Sequence, residues 1–344
     1  MRVLFGVVTA VLLASQIDAA PDGVPQQQVR AAAEQGLRLL VQTSPTFIKK
    51  GGCNSCHNQA LPAAAQAFAK SRGLAVGDAI AQLPGDVSEA TFERYAEHSI
   101  GGGGSVAFLG YELFAKSLSQ TPADARILGQ IRYIKNQQQP EGHWRGGAGV
   151  LVGGSQPGGS RAASARPPLT YDDFTPTAYV IHALSAYAPP WEADDTRSRI
   201  ERARAWLLAA KAERTQERAF RLLGLKWSNA DRGAIAAAAD AVKTLQREDG
   251  GWSQIPTLPS DAYATGIALF ALSETGTAVS SPVYQAGLKY LLSTQAADGT
   301  WHVRTRSLEF QPYFESGYPY GRDQWISAAG SAYATLALAA VIER

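Results

Sequence analysis

The sequence lacks an excess of either charge. Its 344 residues carry 32 lysines and arginines against 30 aspartates and glutamates, a formal net charge of +2, with no basic run. A phosphate-binding surface needs clustered cations, so this balance argues against nucleic acid as a partner. After residue 20 the chain also lacks any apolar stretch long enough to cross a bilayer. Alternating β-branched runs are scarce, which argues against sheet structure.

The N-terminal segment is the exception to this lack of long apolar runs. Arg2 precedes the apolar run 3–13, and residues 17–20 have the small side chains of a signal-peptidase site. The pattern predicts a secretory signal over residues 1–20, because the run is too short for a stable membrane helix. We therefore expect the mature protein, residues 21–344, to be soluble and periplasmic or secreted. An uncleaved membrane anchor is the alternative.

Cysteine is nearly absent, and its placement is informative for that reason. Both cysteines fall in the stretch Cys53-Asn54-Ser55-Cys56-His57, which is the attachment signature of a c-type haem. Two thiols one helical turn apart can form thioethers with the porphyrin, and the adjacent imidazole can bind the iron. We expect Cys53 and Cys56 to anchor one covalent haem c and His57 to be its proximal ligand. The alternatives are a disulfide or redox dithiol, and a zinc site with an unidentified further ligand.

Methionine is also scarce, and this limits the second axial ligand of such a haem. Met1 is the only methionine and leaves with the predicted signal, so the His/Met pair common in cytochromes is excluded. Either a second histidine binds the iron or the position stays open. We favour His98, because it lies beside the glycine run 101–104 at the next predicted helix junction. The other histidines, which like His98 can also be ordinary hydrogen-bonding residues, are His143, His182 and His302.

Three segments share one pattern of a glutamine, an acidic residue, a glycine turn and a tryptophan. They are residues 137–144, 246–252 and 295–301. The third begins 49 residues after the second, and the second follows the first by 108 residues, close to two such units. This spacing indicates a repeat architecture with one decayed copy near residues 211–216, where both the glycine and the tryptophan are absent.

Between these loops the chain is rich in alanine and leucine with helical periodicity, which predicts an all-α fold. Small residues dominate segments such as 177–184, 263–269 and 333–338, and we expect these to be inner helices that approach one another closely. Charged segments such as 200–211 are expected to form an outer ring. Helices are predicted at 24–42, 57–73, 86–98, 104–118, 121–137, 176–188, 196–210, 215–226, 232–246, 261–274, 282–295 and 325–342, which pair into six hairpins.

The Gln-Gly-Trp loops that join an outer helix to an alanine-rich inner helix resemble the repeats of the terpenoid cyclase and protein prenyltransferase superfamily. The C-terminal domain of the squalene-hopene cyclases is the nearest member by these motifs. The resemblance covers most of residues 24–344 and is strongest from 121 onward. It implies a single α/α-toroid domain of six hairpins over residues 21–344, in which the three loop tryptophans are structural.

The resemblance also implies that these loops open at one end of the toroid, where the haem motif would lie. Two long inserts, near 143–175 and 302–324, are expected at the same end. The first is rich in glycine, serine and proline. The second is aromatic, which predicts that it folds over the opening.

Squalene-hopene cyclases protonate an alkene with a DxDD motif that is followed by Thr-Ala. The similar segment here is Thr175-Pro176-Thr177-Ala178, so the acid is missing at the matching place. Asp172 and Asp173 lie just upstream, and Asp261 begins another inner helix; these are our candidate displaced catalytic acids. Each can instead be a helix N-cap. Prenyltransferase activity is disfavoured, because that family's zinc site needs a cysteine and none remains outside the haem motif.

The sequence therefore favours an exported toroid protein with one covalent haem c. It would serve electron transfer with a redox partner protein, or redox chemistry on an apolar or glycan ligand in the toroid. The alternatives are a divergent terpene-cyclase-like enzyme and a non-catalytic repeat scaffold that binds a partner across its ring face. The fold by itself does not choose between them.

Overall fold

All regular secondary structure in the described residues is helical. The computed structural model describes residues 23–51, 55–75, 106–146, 167–307 and 313–343. The α-helices in these ranges are α1 (Gln26–Gly51), α2 (Leu61–Ser71), α3 (Val106–Leu118), α4 (Ala125–Asn136), α5 (Phe174–Tyr187), α6 (Ala193–Ala209), α7 (Thr215–Trp227), α8 (Arg232–Lys243), α9 (Ala262–Glu274), α10 (Pro282–Thr294) and α11 (Gln324–Ala340). A π-helical turn (Cys56–Ala60) precedes α2, and short 3₁₀ turns (Pro190–Glu192 and Gly321–Asp323) precede α6 and α11.

The helices form two concentric rings. Helices α2, α3, α5, α7, α9 and α11 contact one another in this order, and α11 returns to contact α2, which closes the inner ring. Helices α1, α4, α6, α8 and α10 pack outside it, each against the inner helices beside it. The chain is therefore an α/α toroid, and the predicted all-α fold class is confirmed. The helix expected at 86–98 lies outside the described residues.

The division between inner and outer helices follows the composition of each segment. Every residue of α9 from Ala262 to Leu272 is buried, whereas α6 buries only Thr196, Ala203 and Leu207. Small side chains permit the close approach within the inner ring. A Cβ atom on Gly266 would lie 2.5 Å from the backbone of Tyr333, so α9 and α11 pack this closely only because position 266 is glycine.

The three Gln-Gly-Trp loops connect consecutive outer helices through side-chain hydrogen bonds. Each tryptophan is buried, and its indole N–H donates to a carbonyl of the outer helix before it. Each glutamine side chain donates to the glycine carbonyl of its own turn and to a carbonyl of the next outer helix. The long-range bonds are Trp144 to Ile134, Trp252 to Val242, Trp301 to Leu291, Gln138 to Arg199, Gln246 to Val283 and Gln295 to Ala32. The loop tryptophans are structural, as the sequence predicted.

The junction between α6 and α7 is the decayed copy, and an arginine takes over its connection. Nη1 of Arg218 donates to the carbonyl of Ala241 in the next outer helix at 2.8 Å. Its Nε donates to the carbonyl of Ala212 in the junction itself at 3.3 Å. One guanidinium therefore bridges the same two elements that a glutamine amide bridges elsewhere.

Helix α1 is longer than predicted. The sequence predicted an end near residue 42, and Pro45 is a residue type that usually stops a helix. The helix instead continues through Pro45 to Gly51. The side chain of Gln59 donates to the carbonyl of Ser44 at 2.9 Å, a tertiary bond at the proline that helix periodicity could not foresee. In the part of the chain described above, no helix is both long and apolar enough to span a membrane.

Candidate functional site

The N-termini of the inner helices lie at one end of the toroid, because each inner helix follows an antiparallel outer one. We call this end the mouth and define it by Cys56, Phe174, Thr215, Ala262 and Gln324, where the π-helical turn and helices α5, α7, α9 and α11 begin. The partial positive charges of these helix ends add to the field at the mouth. The mouth therefore suits acidic side chains and anionic ligands.

A small pocket opens at the mouth. It is lined by Pro168, Tyr171, Asp172, Arg214, Gln216, Glu217, Gln254, Tyr263, Ala264 and Arg306. The space it encloses is about 10 Å³, enough for about one water molecule. Two carboxylates, two guanidinium groups and two amides thus line a pocket that is open toward the mouth.

Asp172 is held at the start of α5 and lines this pocket. Its carboxylate accepts from the backbone N–H of Thr175 at 2.7 Å, from the Thr175 hydroxyl at 3.1 Å and from Nε2 of Gln216 at 2.5 Å. Desolvation raises the pKa of Asp172 to about 6, and these hydrogen bonds oppose the rise. The group is both a helix cap and a carboxyl that takes up a proton near neutral pH.

Asp261 has a parallel arrangement at α9. It caps the helix by accepting from the backbone N–H of Ala264 at 2.8 Å, and it accepts from Nε2 of Gln254 at 3.0 Å. Desolvation raises the pKa of Asp261 to about 6, while these bonds and Arg306 oppose the rise. The cap interpretation therefore holds for Asp261 as it does for Asp172.

Each of these two aspartates is connected through a glutamine to a side chain of the pocket. Oε1 of Gln216 accepts from the Tyr263 hydroxyl at 2.7 Å, and Oε1 of Gln254 accepts from Nε of Arg306 at 2.8 Å. Both glutamines are buried. A change in the charge of either aspartate therefore acts, through its glutamine, on Tyr263 or Arg306 in the pocket.

Asp173 does not line the pocket. Its Oδ1 accepts from the backbone N–H of Gly146 at 2.8 Å, and its Oδ2 lies 3.4 Å from Nε2 of His143. The His143 ring stacks on Trp206 of α6, with ring centroids 4.7 Å apart. Asp173 thus fixes the chain after the first Gln-Gly-Trp turn. Of the three predicted acids, Asp172 lines the pocket, whereas Asp261 is connected to it only through Gln254.

The described part of the haem motif lies on the π-helical turn at the mouth. The Ser55 hydroxyl accepts from the Asn58 backbone N–H at 3.0 Å, and Ser55 donates through both its N–H and its hydroxyl to Oε1 of Gln59. Nδ1 of His57 is 2.5 Å from Oδ1 of Asn58. The His57 ring is buried and meets the rings of Phe47 and Trp325 edge-on, at centroid distances of 5.2 and 5.6 Å.

Cys56 interacts electrostatically with a cluster of four buried tyrosines. The hydroxyl groups of Tyr179 and Tyr333 are 2.9 Å apart. Burial raises the pKa of each tyrosine far above its usual range, and negative charge on Cys56 raises it further. The four residues are Tyr111, Tyr179, Tyr263 and Tyr333. Tyr263 of this cluster also lines the acid pocket.

The donor set at this turn fits a c-type haem. An amide oxygen at Nδ1 selects the imidazole tautomer whose lone pair is on Nε2, the kind of outer contact that orients metal-bound histidines. The aromatic rings around His57 provide an apolar environment. Cys53 lies outside the described residues.

The predicted sixth ligand His98 also lies outside the described residues, and the other histidines have partners of their own. His182 is packed between Phe114 and Trp227, and burial lowers its pKa to about 4. His302 lies 2.8 Å from Asp323 through Nε2. Across the described ranges, no group of three or more His, Cys, Asp or Glu could hold a metal ion, so these ranges offer no zinc site.

Sequence reasoning missed most of the pocket. The residues that it did not single out are Tyr171, Arg214, Gln216, Gln254 and Arg306. One signal was available: Arg214 and Gln216 lie in or beside the decayed repeat at 211–216, where the structural glycine and tryptophan are replaced. The loss of the Gln-Gly-Trp motif at this junction coincides with two side chains, Arg214 and Gln216, that line the pocket.

Comparisons with known proteins agree with this architecture. No protein-family model matches the chain. A squalene–hopene cyclase from Bradyrhizobium diazoefficiens is 32% identical over 100 residues, which are 26% of this chain and 14% of the cyclase. The chain therefore matches only a small part of that relative.

Two solved structures show the same fold. The type II terpene cyclase MstE from Scytonema has a TM-score of 0.52 at 13% identity, over 91% of this chain and 98% of that one. A possible member of the GH105 family from Salmonella enterica serovar Paratyphi A has a TM-score of 0.52 at 12% identity, over 97% and 99% of the two chains. The α/α-toroid fold of this protein is thus shared with both structures. These likenesses show the fold alone, and they carry no information on haem or export.

Proposed function

We propose that the mouth pocket is an acid site that acts on an apolar, alkene-containing ligand, and that Asp172 is the acid. The observation that carries the proposal is a carboxyl group with a pKa of about 6 that lines the pocket. A carboxyl with this pKa is substantially protonated at mildly acidic pH, as a general acid must be. The cyclase-like fold supports the substrate class.

The residues around Asp172 suit a proton donor. Transfer of the proton to an alkene carbon uses the π electrons for the new C–H bond and leaves a carboxylate on Asp172 and a cation on the ligand. The Thr175 N–H and the Gln216 amide already donate to that carboxylate and stabilise it as it forms. The Tyr263 ring lines the same pocket and can stabilise a nearby cation. A base that removes a proton from the cation regenerates the neutral ligand.

The activity is tested with two defined probes, squalene and all-trans-geranylgeraniol. The protein is incubated with each, and the extract is analysed by gas chromatography and mass spectrometry for isomers of the same mass. We expect product with the native protein, a rate that falls as pH rises above about 6, and at least a hundredfold loss in Asp172→Asn. The neighbouring Asp173→Asn is the matched control, because Asp173 does not line the pocket. Equal rates in Asp172→Asn and the native protein would contradict the proposal.

A second candidate function is redox chemistry with a covalent haem c, and the buried Cys56–His57 turn at the mouth favours it. In this proposal Cys53 and Cys56 anchor the porphyrin, His57 binds the iron, and a histidine such as His98 or an open position completes the coordination. The bound haem would supply one-electron chemistry. The chain's part is to orient His57 through Asn58 and to surround it with apolar rings. Export and a redox partner protein belong to the same proposal.

The haem proposal is tested in a host that matures c-type cytochromes. The protein is expressed with residues 1–20, localised by cell fractionation, purified, and assayed by the pyridine haemochrome spectrum. We expect a periplasmic or secreted protein with one covalent haem, which is lost when Cys53 and Cys56 are both changed to Ala. Absence of haem from the native protein under these conditions excludes this function. If neither turnover nor haem is found, the remaining function is a non-catalytic scaffold.

A further inference from the structure

Two arginines of the mouth pocket lie against the same aromatic ring. The guanidinium carbon of Arg214 is 4.5 Å from the centre of the Tyr171 ring, and that of Arg306 is 5.9 Å from it. Arg214 precedes α7, whereas Arg306 follows the third Gln-Gly-Trp turn, 92 positions further along the sequence. We call these two residues the arginine pair. The toroid brings them together from separate repeats.

The arginine pair is poorly compensated. Arg306 is half-buried, and its Nε donates to the neutral amide oxygen of Gln254. Asp261 attracts Arg306 electrostatically but is not paired with it in the part of the chain that the structure describes. Desolvation lowers the pKa of Arg306, and repulsion from Arg214 lowers it further. A cation held partly out of water beside a second cation is costly unless an anion joins them.

The nearby carboxylates are already engaged. Glu217 is 3.7 Å from Nη1 of Arg214, and its other oxygen accepts from the backbone N–H groups of Glu213 and Arg214. Asp172 and Asp261 accept from helix N-terminal amides and from glutamine side chains. None of the three bridges the arginine pair, which leaves room for one further anion.

We infer that the arginine pair binds the carboxylate of an amphiphilic ligand whose apolar part lies at the mouth. Arginine forks match a carboxylate in geometry and charge. The ligand class rests on the proposed function. The carboxylate can come from either of two sources. One is the acidic head of a free isoprenoid-like ligand, and the other is a propionate of a haem anchored at Cys56.

Farnesoic acid and farnesol, which differ in one carboxyl group, are suitable probes for the first source. Binding of each to the purified protein is measured by calorimetry at pH 7.5. We expect the acid to bind at least tenfold more tightly than the alcohol, with the preference falling to less than threefold in Arg306→Gln and Arg214→Gln. Arg304→Gln is the matched control, because it removes the same charge from an exposed position two residues away. Melting temperatures establish that each variant is folded.

The haem-loaded protein tests the second source. If a propionate occupies the pair, Arg306→Gln lowers the haem reduction potential while Arg304→Gln leaves it unchanged, and the loaded native protein no longer prefers farnesoic acid to farnesol. Equal binding of the two probes, with an unchanged potential in Arg306→Gln, overturns the inference and leaves apolar binding intact. A third result overturns both the inference and the apolar-ligand function. In it the protein binds neither probe, and the protein either carries no haem or has a haem whose potential is unchanged in Arg306→Gln.

Discussion

Two kinds of junction join outer to inner helices, and they differ in the side chain that connects them to the next outer helix. At the intact loop before α9, the Gln246 side chain donates outward to the next outer helix. At the decayed junction before α7, the Gln216 side chain donates inward to Asp172 and Thr175 and accepts from Tyr263. Arg218 takes over the outward connection. A repeat can therefore give up its structural motif at one position and keep the connection through another side chain.

Removal of an intact loop's tryptophan is expected to have the largest effect. Trp252→Ala deletes a fully buried indole and its hydrogen bond to Val242, which should cost about 3–5 kcal/mol of unfolding free energy. Urea unfolding followed by circular dichroism measures it. Trp191→Ala is the control, because that side chain is 79% exposed and its loss should change stability by less than about 0.5 kcal/mol. Similar values for the two variants would refute the structural role.

The loop glycines give the next largest effect. Gly250 has φ +83°, and a Cβ there would lie 2.6 Å from the carbonyl oxygen of Ala286. Gly276 has a similar φ of +79° with nothing within 4 Å. We expect Gly250→Ala to cost about 2–4 kcal/mol and Gly276→Ala about 1 kcal/mol, so the difference measures the contact with α10. Equal losses in thermal or urea unfolding would show that the backbone conformation alone matters.

The pocket should make stability depend on pH in the opposite sense to an ordinary aspartate. The pKa of Asp172 is about 6 in the folded protein, against 3.8 for an unperturbed group, so the folded state binds more protons between these values. Stability from this group is complete below pH 3.8 and is lost as pH rises through about 6. Asp172→Asn, which keeps the cap, should therefore gain about 1–3 kcal/mol relative to the native protein between pH 4 and pH 7.

Urea unfolding at several pH values measures that difference, and Asp231→Asn, the same change at the exposed cap of α8, is the control. A difference between Asp172→Asn and the native protein that stays constant from pH 4 to pH 7 would contradict the proposed protonation of Asp172.

The smallest effect is expected at Arg218, which connects the decayed junction to the next outer helix. Arg218→Gln shortens the bridge from the decayed junction to α8 and should cost about 1 kcal/mol, since its hydrogen bonds to Ala241, Ala212 and Thr244 are lost at a partly exposed position. The matched change is Gln246→Ala at an intact loop, which removes the corresponding amide. If Arg218→Gln has no effect on urea unfolding while Gln246→Ala does, the arginine does not replace the glutamine.

The sequence predicted the fold because both of its signals are local. Helical periodicity marked the described helices closely, and the three Gln-Gly-Trp motifs identified the loops. The exception at the end of α1 arose from a tertiary bond to Ser44. The pocket was less predictable, because Tyr171, Arg214, Gln254 and Arg306 come from different junctions and meet only after the ring closes. Asp172 and Asp173 are adjacent in sequence, yet they face different partners, which no pattern of residue types could distinguish.

The third Gln-Gly-Trp loop joins the two ends of the described chain. The bond from Gln295 to Ala32 spans 263 positions, and the bond from Gln26 to Val341 spans 315. Loop-closure entropy must be overcome before such distant contacts contribute stability, so this seam raises the contact order of an otherwise locally connected helical protein. We therefore expect the ring to close late in folding, with the pocket at its mouth completed only when α1 docks between α10 and α11.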